Sequence, residues 1–275
     1  MNNPRRLSII TIGMNHLSYL KSLYQSLFIE NKPVIEFEAI YVDNCSNDGS
    51  VDFLRNQFPN VRIIINSSPL GFGENNNKGV MASTGQYVAI INPDIILQKG
   101  SIDVLYNYLE SHPEVGIVAP QLLNPDMTIQ FSVRGYLSPK LTLYRFLTRG
   151  KDESDNKEIH NYLCKDLDFE QSQPIDWAIG AALMLSRDTY AQLGGFDQDY
   201  YLYIEDQDLC LRSWKMGRPV WYVPESKMIH NHLRSSTKIG KKTWMHFKSI
   251  CIFLKKHSFN IPSFRMIYND SQERQ

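Results

Sequence analysis

From Leu7 to Ile91 the sequence repeats one pattern, a short β-branched run followed by helically spaced apolar residues, and few architectures accommodate that repeat. Leu7-Ser8-Ile9-Ile10-Thr11-Ile12 is the first run, and Leu17, Leu20, Leu23, Tyr24 and Leu27 behind Gly13 mark the first helix. Phe37 to Val42 precedes a helix over 51–58, Val61 to Asn66 precedes a helix ending near Thr84, and Tyr87 to Ile91 is a further strand. Strands joined through helices run parallel, and open sheets of this kind bind ligands beyond the carboxyl ends of their strands. The expectation is an α/β domain in which residues 1 to about 120 form a Rossmann-like nucleotide-binding half.

The strand ends carry polar side chains. Val42 runs into Asp43-Asn44-Cys45-Ser46-Asn47-Asp48-Gly49-Ser50, a turn that caps the next helix. Asp43 closes an apolar strand where no cap is needed, so it is a candidate for contact with a base or ribose. Leu70-Gly71-Phe72-Gly73-Glu74-Asn75-Asn76-Asn77-Lys78-Gly79 opens a helix whose glycines permit close backbone approach and whose asparagines and Lys78 can face a diphosphate or sugar ring. It lacks the Gly-Lys-Ser/Thr ending of a Walker loop. Asn92-Pro93-Asp94 holds a carboxylate on a stiff turn, suited to a divalent cation that also binds phosphate oxygens; a plain connecting turn is the alternative.

Beyond Val115 the alternation stops. Val115 to Ala119 and Thr128 to Val133 have strand character, Pro139 to Thr148 has the spacing of an amphipathic helix, and Gly150 to His160 reads as a charged, mobile loop. Acceptor recognition is expected in this stretch. Gly180, Ala181 and Ala182 allow a sugar or backbone to come close, although tight core packing explains them equally well. Glu205, Asp206 and Asp208 fall in the first turn of a helix, where the dipole tolerates negative charge. An isolated Glu-Asp-x-Asp is usually an idle, solvated helix start. Here Tyr200, Tyr201 and Tyr203 before it and Leu209, Cys210, Leu211 and Trp214 after it put the carboxylates at the rim of a buried wall. A carboxylate partly withdrawn from water has the raised pKa that a general base needs near neutral pH. Pro219 to Val223 is another strand, and His230 and His232 beyond it alternate as on one side of a strand. Partners for a tetrahedral zinc site are not evident, so one histidine completing an oxygen-rich Mn2+ or Mg2+ site is the reading, with the other structural.

Charge and cysteine usage narrow the partners. Lys plus Arg equals Asp plus Glu, at 29 each in 275 residues, so no net field draws the chain to nucleic acid. Cys45, Cys164, Cys210 and Cys251 lie far apart without a Cys-x-x-Cys pair, as expected of a reducing cytoplasm. No apolar run approaches the ~20 residues of a membrane span, and Leu7 to Ile12 is too short for a signal peptide core. Between Arg234 and Tyr268 there is no Asp or Glu. Trp244, Phe247, Ile250, Cys251 and Leu254 share one helical face flanked by Lys241, Lys248 and Lys255. Such a helix lies in an anionic membrane interface or packs on the domain. The expected organisation is a domain of residues 1–237, with acceptor and catalytic groups in 121–237, and a basic amphipathic helical tail of 238–275.

In order along the chain, Asp43-Asn44-x-Ser46-x-Asp48-Gly49-Ser50, Gly71-Phe72 with Asn76, Asn92-Pro93-Asp94, Trp177 with Gly180-Ala181, Gly194-Gly195-Phe196-Asp197 and Tyr203-x-Glu205-Asp206-x-Asp208-Leu209 form a specific set. Over residues 5–237 the chain resembles the family-2 glycosyltransferases, and more narrowly their bacterial rhamnosyltransferase branch. The resemblance implies a GT-A fold with a mixed central sheet and inverting transfer from a nucleotide-activated sugar. It places Asp43 at the base, Asp94 at the metal position of an Asp-x-Asp motif, and Asp206 at the catalytic base position with Glu205 beside it. His230 is the late metal-side histidine, since Ser235 follows at the family's usual spacing, and His232 is the fallback. Thr11, Asn44, Gly71, Asn76, Lys78 and Asn92 complete the donor set, and Trp177, Gly180, Ala181, Glu205 and Asp208 the acceptor and sugar set.

Asn92 departs from the family's aspartate, which lowers metal affinity or turns the amide to the ribose. The implied donor is dTDP-L-rhamnose, with UDP-hexoses next, and the implied acceptor is a lipid-linked surface polysaccharide or oligosaccharide. Mg2+ or Mn2+ is the implied cofactor, and the implied location is cytoplasmic, peripheral on the inner face of the plasma membrane. Sugar-phosphate nucleotidyltransferases need a basic Gly-rich loop after the first strand, which Gly13-Met14-Asn15-His16 does not supply. A non-catalytic nucleotide-sugar-binding module is disfavoured by the joint presence of Asp94, Asp206 and His230.

Overall fold

Successive residues of the first strand enter different apolar clusters, which shows how the layers form. In β1 (Leu7–Gly13), Leu7 and Ile9 join one cluster and Ile10 joins the other, so the strand is covered on both faces. The computed structural model describes residues 6–136, 141, 144, 157–231, 241–258, 261–272 and 274. The first cluster takes Leu20, Leu23 and Tyr24 from α1 (Leu17–Gln25), Leu54 from α2 (Ser50–Gln57) and Leu105 and Leu109 from the helix Ser101–Ser111. The second takes Val80 from α3 (Phe72–Met81). Helices therefore sandwich the sheet.

The remaining strands are β2 (Phe37–Asp43), β3 (Arg62–Ile65), β4 (Tyr87–Ile91), β5 (Ile95–Leu97), β6 (Ile117–Leu123), β7 (Val133–Arg134), β8 (Gln173–Pro174), β9 (Trp177–Ala178), β10 (Ala182–Ser186) and β11 (Val220–His230). The helix Ser101–Ser111 is α4; it is followed by α5 (Lys157–Tyr162), α6 (Arg187–Gln192), α7 (Glu205–Lys215), α8 (Lys241–His257) and α9 (Phe264–Gln272). The sheet order is β3-β2-β1-β4-β10-β6-β11-β5, with β8 on β11 and a separate β7-β9 pair. β3, β2, β1 and β4 are parallel, while β10 runs antiparallel to both β4 and β6. This is the mixed central sheet expected.

The antiparallel strand decides where chemistry can occur. Ala182 pairs with Ile91, so the chain entering β10 lies beside the chain leaving β4. The Asn92 N–H donates to the Ala181 carbonyl at 2.8 Å. At the far side of the sheet Ile95 pairs with His230, which brings the Asn92-Pro93-Asp94 turn to the end of β11.

Several expectations change. Thr128 to Val133 is strand only at Val133–Arg134, with a single bridge from Ile129 to Leu123. Met127 has a left-handed φ of 67° and Asp126 accepts from the Thr128 N–H, so the chain turns back instead of extending. Pro139 to Thr148 lies outside the described residues except for Leu141 and Tyr144, both helical. Gly150 to His160 is not loop throughout, because α5 begins at Lys157 and buries Ile159 against Leu141 and Leu163. His232 lies outside the described residues.

The tail packs on the domain through a side that hydrophobicity does not single out. Phe253 is buried with Tyr200, Ile204 and Leu211, and the Ser249 hydroxyl donates to the Leu202 carbonyl at 2.9 Å. Of the expected face, Trp244, Phe247 and Cys251 are exposed, while Ile250 joins the packed side. One serine hydrogen bond helps set this rotation, which an apolar pattern cannot rank. α9 docks as well: Phe264 stacks on Trp214 with ring centroids 5.8 Å apart, and Arg265 is buried.

Candidate active site

Tyr203 and Ile204 both have left-handed backbone, φ 68° and 75°, immediately before α7. A β-branched residue there is an outlier, costing about 1–3 kcal/mol that surrounding contacts must hold. The result is a sharp entry that delivers Glu205, Asp206 and Asp208 together in the first helical turn. Their fates diverge.

Asp206 is half-buried, with Oδ2 accepting from the Gly180 N–H at 2.8 Å and Oδ1 from its neighbour Gln207 N–H at 2.8 Å. Burial pushes its pKa above the ordinary value, against the pull of those two N–H groups. Glu205 is buried and also shifts upward, first through burial and then through the charge of Asp206; its Oε2 has no partner among the described residues. Asp208 shifts downward: burial opposes this, but the His257 hydrogen bond and the Arg212 guanidinium outweigh it. Arg212 Nε lies 2.7 Å from Asp208 Oδ2 and His257 Nε2 lies 2.6 Å from Oδ1. Asp208 is thus a buried ion-pair partner, whereas Asp206 is the carboxylate with the raised pKa and open side.

A Cβ on Gly180 would lie 3.1 Å from Asp206 Cβ and 3.7 Å from the Phe72 ring. Close packing against the carboxylate accounts for this glycine. Gly71 has a similar reason: a Cβ there would sit 2.8 Å from the Tyr201 carbonyl, to which the Phe72 N–H donates at 2.9 Å. The start of α3 and the loop before α7 are therefore in backbone contact. Asn77, between them, accepts from the Phe196 N–H and donates to its carbonyl, tying α3 to the Gly194-Gly195 turn.

On the other side, Asp94 Oδ2 lies 3.4 Å from His230 Nε2. His230 Nδ1 is 2.6 Å from Gln130 Oε1, a carbonyl that only accepts, so Nδ1 carries a proton and the other ring nitrogen, Nε2, is the one that faces Asp94. Asp94 Oδ1 is buried without a partner among the described residues. A carboxylate oxygen and an imidazole nitrogen facing each other are a donor pair that a divalent cation can use, and the Gln130 contact is the kind that orients a metal-binding imidazole. Among the described residues no group of three or more His, Cys, Asp or Glu side chains is arranged to hold a metal ion by itself. Gln130 carries no motif in the sequence.

The donor-side residues have varied partners. Asp43 Oδ2 accepts from the Ser46 N–H at 2.9 Å and Oδ1 from the Tyr41 hydroxyl at 3.2 Å. Asn44 uses both amide atoms on the Leu70 backbone, which staples the two loops. Lys78 donates to Asn66 at 2.9 Å, and buried Asn76 donates to the Phe72 carbonyl while its Oδ1 has no partner among the described residues. Thr11 is buried and hydrogen-bonds the Tyr24 phenol, so it serves the packing of α1. Trp177 is buried too, its indole N–H donating to the Gly135 carbonyl at 2.9 Å. Ala181 is a core residue whose carbonyl meets Asn92.

Asp206, Gly180, Ala181, Asn92 and Asp94 thus form one short path along the edge where β4 ends and β10 begins. The chain is 27% identical over 265 residues to the N-acetylglucosaminyl-diphospho-decaprenol L-rhamnosyltransferase of Mycobacterium tuberculosis, covering 92% of this chain and 85% of that one. It is 24% identical over 268 residues to Rhamnosyltransferase WbbL of Escherichia coli, covering 90% and 92%. In structure it is similar to GalNAc-T7 with UDP, GalNAc and Mn2+, with a TM-score of 0.65 at 13% identity; the match takes in 93% of this chain but 48% of that one, about half its length. The profile of the family described as Glycosyl transferase family 2 matches residues 8–167, more than half of the chain. With this match, these rhamnosyltransferase relatives and a mixed sheet of the GT-A kind, the chain belongs to the family-2 glycosyltransferases.

Proposed function

We propose that this enzyme transfers a sugar, with L-rhamnose from dTDP-L-rhamnose the first donor and UDP-hexoses next, to a hydroxyl of a lipid-linked oligosaccharide or polysaccharide. The names of the Mycobacterium tuberculosis and Escherichia coli relatives support rhamnose, and the first of these names an N-acetylglucosaminyl-diphospho-decaprenol acceptor. The reaction is a single displacement with inversion. Asp206 removes the proton of the acceptor hydroxyl as that oxygen forms its bond to the anomeric carbon and the nucleoside diphosphate leaves from the opposite face. Gly180 aims the carboxylate through its N–H, and Asp43 and the start of α3 receive the nucleotide side. Asp94 and His230 would hold a Mn2+ or Mg2+ ion, which when bound offsets charge on the diphosphate. The single observation behind this reading is the backbone path that joins Asp206, through Gly180 and Ala181, to the Asn92-Pro93-Asp94 turn.

The test is Asp206→Asn. Loss of the base is expected to lower turnover by about 10²–10⁴-fold, with donor affinity nearly unchanged. Retained turnover removes Asp206 from the role. A thermal-shift screen of dTDP- and UDP-sugars with Mn2+ or Mg2+ identifies the donor, because a ligand of the native state raises its melting temperature. No helix among the described residues is long and apolar enough to cross a membrane. Trp244 and Phe247, 69% and 56% exposed, sit on a helix that also exposes Lys248 and Lys255, which supports docking on an anionic lipid surface. Flotation with anionic vesicles that Trp244→Ala/Phe247→Ala leaves unchanged would remove that docking site.

A further inference from the structure

We propose that His257, at the end of α8, is a positioning residue for transfer: it fixes Asp208 and through it the first turn of α7 that carries Asp206. This rests on the reading of Asp206 as the base. His257 arrives from 49 residues further along the chain to place Nε2 2.6 Å from Asp208 Oδ1. Its other nitrogen, Nδ1, lies 3.1 Å from the Lys215 ammonium. An ammonium can only donate, so Nδ1 accepts and the ring proton sits on Nε2, pointing at Asp208. Lys215, at the last turn of α7, and Asp208, in its first, are thus joined through a ring supplied by another helix.

Charge neutralisation alone does not require this histidine. Arg212 already pairs with Oδ2 of Asp208 from within α7. What His257 adds is a fix on the second oxygen, which otherwise has the Tyr200 hydroxyl at 3.3 Å. The ring is itself held against Phe253, with centroids 4.9 Å apart. The rest of α8 grips the segment ahead of the carboxylates: Lys256 pairs with Asp197 and Asp199, Ser249 donates to the Leu202 carbonyl, and His246 lies against the Tyr203 ring at 4.9 Å. The Asp208 N–H closes on the Ile204 carbonyl, so the left-handed entry and Asp208 move as one piece. Asp206 lies within that piece, and its aim at the acceptor depends on it.

The experiment compares His257→Ala and His257→Gln, the glutamine keeping an N–H within reach of Asp208. For His257→Ala we expect kcat to fall by about tenfold, as for a sub-ångström misplacement of a reacting group, with donor KM unchanged. His257→Gln should recover most of that loss. Amide exchange over residues 200–208 should quicken by about tenfold in His257→Ala and return in His257→Gln, since local opening is read there. Wild-type kcat in His257→Ala, or equal losses in both variants, overturns the proposal. Should the wild-type protein turn over none of the sugars offered, the functional reading fails and the role in transfer with it, while the exchange data separately decide the contact: unchanged rates at 200–208 overturn the fix on the first turn of α7, and the Ala/Gln contrast supports that fix alone.

Discussion

Gly180→Ala separates aiming a carboxylate from holding a fold together. The new methyl carbon would lie 3.1 Å from Asp206 Cβ and 3.6 Å from Oδ2, so relief to ordinary contact needs a shift of a few tenths of an ångström. Misplacing a reacting group by 1 Å costs about 10²-fold, and scaling that to a third of an ångström gives about fivefold in kcat, or about 1 kcal/mol. Folding stability should hardly change. Gly180 is not in left-handed backbone, so alanine gains about 0.4–1 kcal/mol by restricting the unfolded chain, which offsets the crowding. The assay is kcat and donor KM from initial rates beside a melting curve. A fivefold loss in kcat with KM and melting temperature nearly unchanged is expected. Unchanged kcat refutes the reasoning, because Asp206 then tolerates displacement. A loss beyond about 10²-fold at an unchanged melting temperature refutes it differently, because the methyl then occupies space that the sugar needs.

Other outcomes follow from the same contacts. The raised pKa of Asp206 means that turnover falls on acidification while the pH is still above the ordinary aspartate value of 3.8, read as the acid limb of a pH–rate profile. Asp208 has the opposite sign: its folded pKa is lowered, so its stabilising effect is complete above 3.8 and is lost as pH falls through the folded value. Asp208→Ala leaves Arg212 unpaired in a largely buried site, costing about 3–5 kcal/mol, seen as a lower denaturation midpoint at neutral pH and a flatter dependence on acid. Gln130→Ala removes the oxygen that holds His230 Nδ1, so Mn2+ affinity measured by calorimetry should drop about 10–100-fold, while an unchanged affinity separates Gln130 from any metal role.

What could be read from the sequence was local. The β-branched runs, the glycine at the start of α3 and the carboxylates opening α7 announce themselves within a few residues, and the structure forms those elements there. What could not be read depends on partners brought from afar. Gln130 meets a histidine 100 residues away and His257 an aspartate 49 residues away, and neither carries a pattern of its own. Trp177 stands near Gly180-Ala181 in sequence, yet its indole N–H is taken up by the Gly135 carbonyl. The tail helix misleads for the opposite reason: its most apolar stripe is not the side that docks, because Ser249 and Phe253 find the Tyr200–Ile204 loop. Apolar periodicity ranks faces by composition and is blind to the partner.

Asp176, buried in the strand region just ahead of Gly180, accepts from the Ser263 hydroxyl at 2.9 Å and from the Arg265 N–H at 3.1 Å. During synthesis the ribosome must pass residue 265 before that aspartate meets its counter-groups, although its own strand emerged long before. The nascent protein can lay down its N-terminal parallel strands early, as N-terminal segments do, but the segment that leads into Gly180 stays unfinished until translation has moved well beyond it.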